Sequence, residues 1–258
     1  MENRTKYLRT NFTKPLRNVS ASLSVDNDDV MVLSEHIEEF SQRLVFCLGI
    51  LMTATTSCFM DVRQIVKLFQ APAIGIKFLQ FAPGEYFFAS IKIALFCGVL
   101  ISSPLIIYQV FLYVLPGMTK KERDVLLPMT LGSGLLFFVG LTFSYFFLVP
   151  VALKFFITYG SEVVEPFWSF DQYFDFIAVL IFTTGLAFQV PVIQVILGLL
   201  GIVSGKKMLS AWKYAIVVST IIAAIITPST DPVTQILMAS ALLALYVGGS
   251  SFVILLEK

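Results

Sequence analysis

The sequence predicts an all-α membrane protein with six transmembrane helices and both termini on the inner, cytoplasmic or stromal, side. Three observations carry that prediction. Of the 258 residues, 57% are hydrophobic and 14% charged, where an average soluble domain carries about 25% charged residues. Six windows hold no Asp, Glu, Lys or Arg: 44–60, 93–119, 125–153, 176–205, 214–230 and 232–256. Thirteen of the 18 Lys and Arg fall on one side of the alternation these windows define, the asymmetry that sets membrane orientation. This composition argues against a soluble enzyme, and the 15 Gly and 11 Pro lie in apolar runs rather than in repeats, which excludes collagen-like and low-complexity readings.

A helix needs roughly 20 apolar residues to cross about 30 Å of hydrocarbon. The second, third, fourth and sixth windows exceed that. The first holds 17 residues, and Phe40 extends it if Arg43 snorkels to the interface. The fifth is bounded by Lys213 and Asp231, and its apolar part stops near Ile226, leaving roughly 13 residues, about 20 Å. Such a segment is either re-entrant or a spanning helix where the bilayer thins, and length alone does not choose.

The inner side receives the basic residues of the first 43 positions, then Lys120, Lys121 and Arg123, then Lys206, Lys207 and Lys213, and finally Lys258. Arg63, Lys67, Lys77, Lys92 and Lys154 fall on the opposite side. The stretch before residue 33 is a polar tail of a composition compatible with disorder, and residues 33–258 form the membrane domain. The tail has no apolar h-region and so is no secretory signal. Its basic start fits either an ordinary inner-side tail or part of an organelle transit sequence. On an inner-side tail, the sequons at Asn11 and Asn18 are chance matches.

Polar residues inside spans are costly unless paired, which makes them informative. Gln189 lies near the middle of 176–205, just before Pro191, whose ring removes a backbone donor. Two readings stand: Gln189 satisfies its own bundle, or it docks a partner's transmembrane segment through an amide that both donates and accepts. At the inner rim, Glu39 precedes the first span and Glu122 follows the second. Two carboxylates there are either solvated charges paired with Arg43 and Arg123, or a receptor for paired arginines, which bind carboxylates bidentately. Trp168, Phe170 and Tyr173 read as an interfacial aromatic belt, and Gly201-Ile202-Val203-Ser204-Gly205 as a helix terminus rather than a dimer face.

Cys47, Cys58 and Cys97 all lie in apolar stretches and read as packing residues. One histidine, His36, makes a metal site improbable, and a net charge of +1 offers no field for nucleic acid. No Walker motif, HExxH or GxSxG occurs. A permease would show repeated broken helices and a midplane charge, and a membrane enzyme a nucleophile with its base. Neither pattern is present in the sequence.

From residue 33 to the end the chain resembles the TatC family, the polytopic core of the twin-arginine protein translocase. Leu33-Ser34-Glu35-His36-Ile37-Glu38-Glu39-Phe40-Ser41-Gln42-Arg43 is similar to the family's first-helix motif HLxELRxR, and Pro116 to Arg123 to its first inner loop. Phe81-Ala82-Pro83-Gly84-Glu85-Tyr86-Phe87-Phe88 fits the first outer loop. Phe188-Gln189-Val190-Pro191 and Thr227-Pro228-Ser229-Thr230-Asp231-Pro232 match the fourth span and the turn before the last. Phe170-Asp171-Gln172-Tyr173-Phe174 looks like the thylakoid and cyanobacterial branch. Phe40 and Ser41 depart from the Leu and Arg usual there, which puts that first arginine's role in doubt here.

The resemblance implies a non-enzymatic receptor for twin-arginine signal peptides of folded cargo, with a concave bundle and no cofactor. It implies that Glu39 and Glu122 bind the arginine pair beside Arg43, Lys120 and Arg123. It further implies that Gln189 and Pro191 help to dock single-span TatA- and TatB-type partners, and that Pro83, Glu85, Pro116, Pro228 and Asp231 shape the turns. Several copies per complex, drive by the proton-motive force, and a thylakoid or bacterial inner membrane are the remaining expectations.

Overall fold

The computed structural model describes residues 14–73, 76–114, 120–160, 167–227 and 231–257, with side chains described from Ile37 onward except at 114, 120–128 and 160. Pro116, Pro228 and the tail before Lys14 lie outside the described residues, as do the side chains of Lys120, Glu122 and Arg123.

In chain order the elements are α1 (Lys14–Met60), α2 (Val62–Gln70), β1 (Phe78–Leu79), α3 (Glu85–Val114) and α4 (Lys120–Phe143). A π-helical turn, Ser144–Leu148, leads into α5 (Val149–Gly160), followed by β2 (Trp168–Ser169), α6 (Phe170–Ala187) and α7 (Val190–Leu199). The chain ends with α8 (Gly205–Ser210), α9 (Trp212–Ile226) and α10 (Pro232–Leu256). Two compact units result, Met1–Leu48 and Gly49–Lys258. In the first, α1 exposes Ile37, Phe40, Leu44, Val45 and Phe46. The second contains all the remaining elements.

Among the described residues, five stretches are long and apolar enough to cross a membrane: Ile37–Met60, Glu85–Tyr113, Met129–Tyr159, Phe170–Leu199 and Pro232–Leu256. The fifth predicted segment is the shorter apolar helix α9, of 15 residues, about 22 Å at 1.5 Å per residue. Three stretches begin well before their charge-free windows, at Ile37 instead of 44, at Glu85 instead of 93 and at Phe170 instead of 176. In the last two of these the charged residues pair with one another. Lys92 on α3 donates to Asp171 at 2.8 Å and to Asp175 at 2.9 Å on α6, so the charges that closed those windows sit on the helices themselves.

The third stretch is continuous through the π turn, where the Val149 N–H donates to the Ser144 carbonyl five residues back. Pro150 follows, and its missing N–H is the ordinary cause of such a break in the α ladder. The fourth stretch breaks between α6 and α7 at Phe188–Gln189, with Pro191 in the first turn of α7. This is the interruption expected from Pro191. After α7 the chain turns through Gly201 at φ +67° and restarts at Gly205, so the GxxxG is a helix terminus as expected.

The core of the second unit contains Ile93, Phe137, Leu148, Ile177, Leu180 and Met238, all fully buried. Phe69, Phe96 and Phe174 meet edge to face with centroids 5.6 to 6.1 Å apart, the geometry their ring quadrupoles favour. Helices α4 and α6 meet at two glycines with no room for a Cβ: one built at Gly140 would lie 2.8 Å from Phe188, and one at Gly185 would lie 2.8 Å from Phe137. Small residues serve this purpose in membranes, where lipid tails are as apolar as the helices and close packing must supply the attraction.

The aromatic belt expected at Trp168, Phe170 and Tyr173 is corrected at the last two positions. Phe170 and Tyr173 are buried and Trp168 is half-buried. Phe170 and Tyr173 face Phe78, whose ring lies 4.7 Å from Tyr173 and 6.0 Å from Phe170, next to the bridge Phe78↔Trp168, Leu79↔Ser169 that joins β1 to β2 in parallel.

Candidate functional site

Three sets of polar residues interrupt the apolar helices. The first lies on α1 within Met1–Leu48. Glu39 accepts two hydrogen bonds from the Arg43 guanidinium, at 2.6 and 3.0 Å, with both side chains partly exposed. Acid before base at i, i+4 is the favourable order on a helix. Ser41, where the resemblance expects arginine, is exposed. Lys120, Glu122 and Arg123 follow on the first residues of α4.

The second set is inside the second unit. Gln189 uses both halves of its amide on one neighbour: its Oε1 accepts from the Ser133 hydroxyl at 2.7 Å and its Nε2 donates to the Ser133 carbonyl at 3.2 Å. The first of the two sequence readings, satisfaction within the bundle, is thus what the geometry records. Pro191 packs beside Gly249 of α10. Gln194, not singled out from the sequence, is buried and donates to the Tyr246 carbonyl at 3.2 Å and to the Ser250 hydroxyl at 3.1 Å. A glutamine in the charge-free window 176–205 was a legible signal; its partner on α10 was not.

The third set ties the first outer loop to the start of α6. Glu85 Oε2 accepts from the Phe81 and Ala82 N–H groups at 2.6 and 3.2 Å, and its Oε1 accepts from the Ser169 hydroxyl at 2.8 Å. Ser169 in turn caps α6. Pro83 is exposed in the turn that Glu85 closes, beside Gly84 at φ +84°. The Tyr145 and Tyr173 hydroxyls donate to the Leu68 and Phe69 carbonyls, each at 2.7 Å, and so hold the end of α2. Asp231, 1% exposed, caps α10 by accepting from the Thr234 N–H at 2.7 Å. The sequence motifs at Glu85 and Asp231 therefore mark capped turns.

Long apolar helices, amide ties between them and charged groups gathered at their ends define a multi-pass membrane protein. Comparison with known proteins narrows this. The model of TatC, the Sec-independent protein translocase protein, matches residues 35–240. The chain is 55% identical over 257 residues to a tatC-like protein, ycf43, of Guillardia theta, covering 100% of this chain and 86% of that one. It is 50% identical to the TatC protein of Synechocystis, covering 91% and 92%. With the chloroplastic TATC of Pisum sativum identity is 48%, covering 87% of this chain and 64% of that one. A crystal structure titled twin arginine translocase receptor TatC superimposes with a TM-score of 0.71 at 32% identity, covering 86% of this chain and 98% of that one. The chain belongs to the TatC family. It is a translocase component of the Tat pathway, a transport protein of plastid or cyanobacterial membranes.

Proposed function

We propose that this chain is the receptor for twin-arginine signal peptides of folded cargo, with Glu39 and Glu122 accepting the two guanidinium groups and Arg43, Lys120 and Arg123 completing the surface. The observation that supports this most directly is the Glu39–Arg43 pair, in which Glu39 already holds a guanidinium through two of its nitrogens at a partly exposed position. An incoming arginine repeats chemistry that the site performs at rest. Exchange is inexpensive because exposed i, i+4 pairs contribute only about 0.3 to 0.5 kcal/mol, whereas charge-assisted bidentate pairs at a drier surface contribute about 1.5 to 3 kcal/mol.

In this reading the five long apolar stretches and α9 make six crossings, residues 33–258 form the membrane domain, and residues 1–32 are an inner-side tail with both termini on that side. The membrane is the thylakoid or a bacterial inner membrane. Single-span TatA- and TatB-type partners pack near Gln189 and Pro191, several copies assemble, and the proton-motive force drives export. A partner helix using Gln189 would trade against Ser133, which holds the amide in the isolated chain.

The test is photo-crosslinking of a twin-arginine signal peptide to the membrane-embedded protein, against a twin-lysine peptide and against Glu122→Ala. Loss of crosslinks in both controls is expected. Equal crosslinking throughout would move recognition away from this rim, to a partner.

A further inference from the structure

Where the third and fourth apolar stretches meet β2, a cavity of about 380 Å³ is lined by Leu153, Phe156, Phe167, Trp168, Gln172 and Phe176, with Ser169 and Tyr173 beside them. Its wall is of two kinds. Phe156 and Phe176 meet edge to face at 5.9 Å, and Trp168 lies tilted on Tyr173 at 6.0 Å, which makes an aromatic floor. Two neutral polar side chains have no hydrogen bond among the described residues, the Trp168 indole N–H and the Gln172 carboxamide. Ser169 and Tyr173 spend their hydroxyls elsewhere, on Glu85 and Phe69. Among the described residues no charged side chain lines the cavity, and Phe156 and Phe167 open it to the surroundings at 39% and 55% exposure.

In water, two idle donors on an exposed wall would be solvated and unremarked. At the end of two membrane-crossing stretches they face the headgroup zone, where tryptophan and neutral amides meet ester carbonyls and hydroxyls. Aromatic faces suit the apolar side of a sugar ring or the first carbons of an acyl chain, and unpaired neutral donors suit uncharged oxygen acceptors. The described lining offers an anionic headgroup no countercharge, and bringing one in against these residues would cost desolvation with no return. Cavities of about 300 to 1,000 Å³ hold small ligands, so this one takes a headgroup and the start of a chain rather than a helix.

We propose that this cavity is a binding site for a membrane glycerolipid with an uncharged, hydroxyl-bearing headgroup, held by Trp168 and Gln172 over the Phe156–Phe176 floor. The proposal rests on the membrane-spanning reading of the chain and is independent of signal recognition at Glu39 and Glu122. The occupant sits against the end of α5 and the first turns of α6, beside the Glu85–Ser169 tie.

The full chain is reconstituted in nanodiscs of phosphatidylcholine containing a minor fraction of a diazirine-tailed monogalactosyl diacylglycerol, or of diazirine-tailed phosphatidylglycerol at the same level. After illumination, labelled peptides are mapped. Labelling of 153–156 and 167–176 by the galactolipid is expected to exceed that by phosphatidylglycerol. It should fall about two- to tenfold in Trp168→Phe and in Gln172→Leu, the range of one hydrogen bond each. Gln172 is exposed and its replacement leaves the core intact, so loss of labelling there cannot come from misfolding. Equal labelling by the two lipids would overturn the neutral-headgroup selectivity. Labelling unchanged by both variants, or absent from these segments, would overturn the site. Signal-peptide crosslinking on the same samples is expected to be unaffected; its loss alone would count against the receptor reading and leave the lipid site standing.

Discussion

Glu39 and Glu85 each stand near the start of an apolar stretch, and their carboxylates are engaged in opposite ways. Glu85 accepts from two backbone N–H groups and from Ser169 of a distant segment, so it holds a turn closed and joins two parts of the chain. Glu39 accepts from Arg43 one turn along its own helix, an interaction that a guanidinium from outside can reproduce. The difference teaches where to look for a receptor surface. A carboxylate committed to backbone donors is part of the fold, whereas in the proposed reading Glu39 exchanges the guanidinium of Arg43 for one from a signal peptide.

The comparison breaks most clearly at the two glutamates. Glu39→Gln is expected to weaken binding of a twin-arginine peptide by tenfold or more, consistent with about 1.5 to 3 kcal/mol for a charge-assisted pair, with an unchanged melting temperature in detergent. Glu85→Ala should lower the melting temperature while peptide affinity of the folded protein stays the same. If the two variants behave alike, the distinction between exchangeable and committed carboxylates is wrong.

The interior amides belong with Glu85. Any side chain larger than a hydrogen at position 249 runs into Gln194 and Pro191, so Gly249→Leu should destabilise the pairing of α7 with α10 by about 1 to 3 kcal/mol, read from urea or heat unfolding. A neutral result there would mean that α10 can shift away at no cost. Gln189→Leu leaves the Ser133 hydroxyl without its partner and is expected to cost about 0.5 to 2 kcal/mol. Recovery of TatA- or TatB-type helices with that variant separates the two uses of the amide: full recovery would confine Gln189 to the bundle.

The smallest effect is expected at Lys92. Its ion pairs with Asp171 and Asp175 are well formed but half-exposed, and such pairs contribute about 1 kcal/mol or less. Lys92→Met should therefore leave stability nearly unchanged by thermal unfolding, and a large loss would show that this cluster is much drier than its exposure indicates.

Much of this was legible in the chain. Apolar length marked the crossing stretches, Pro191 marked the break in the fourth, and Gly201 marked the end of α7, because helix length, missing donors and positive φ are local properties. Asp231 and Glu85 stood in motifs that proved to be helix caps, again a matter of three or four residues. The helix starts at Glu85 and Phe170 were misplaced by a rule that treats each charge alone, since Lys92, Asp171 and Asp175 are 79 and 83 residues apart in sequence and neutralise one another only when folded.

The sequence by itself determined that this protein crosses a membrane several times, roughly where it does so, and which carboxylates a family resemblance would put to use. Only the tertiary structure decided which polar groups are already spent. Gln189 is held by Ser133, 56 residues away, Tyr173 by Phe69, 104 residues away, while the Trp168 and Gln172 side chains have no hydrogen-bond partner among the described residues. Composition and periodicity report what a residue can bond; whether it has done so depends on a partner that the chain brings near from far along its length, and no local pattern carries that distance.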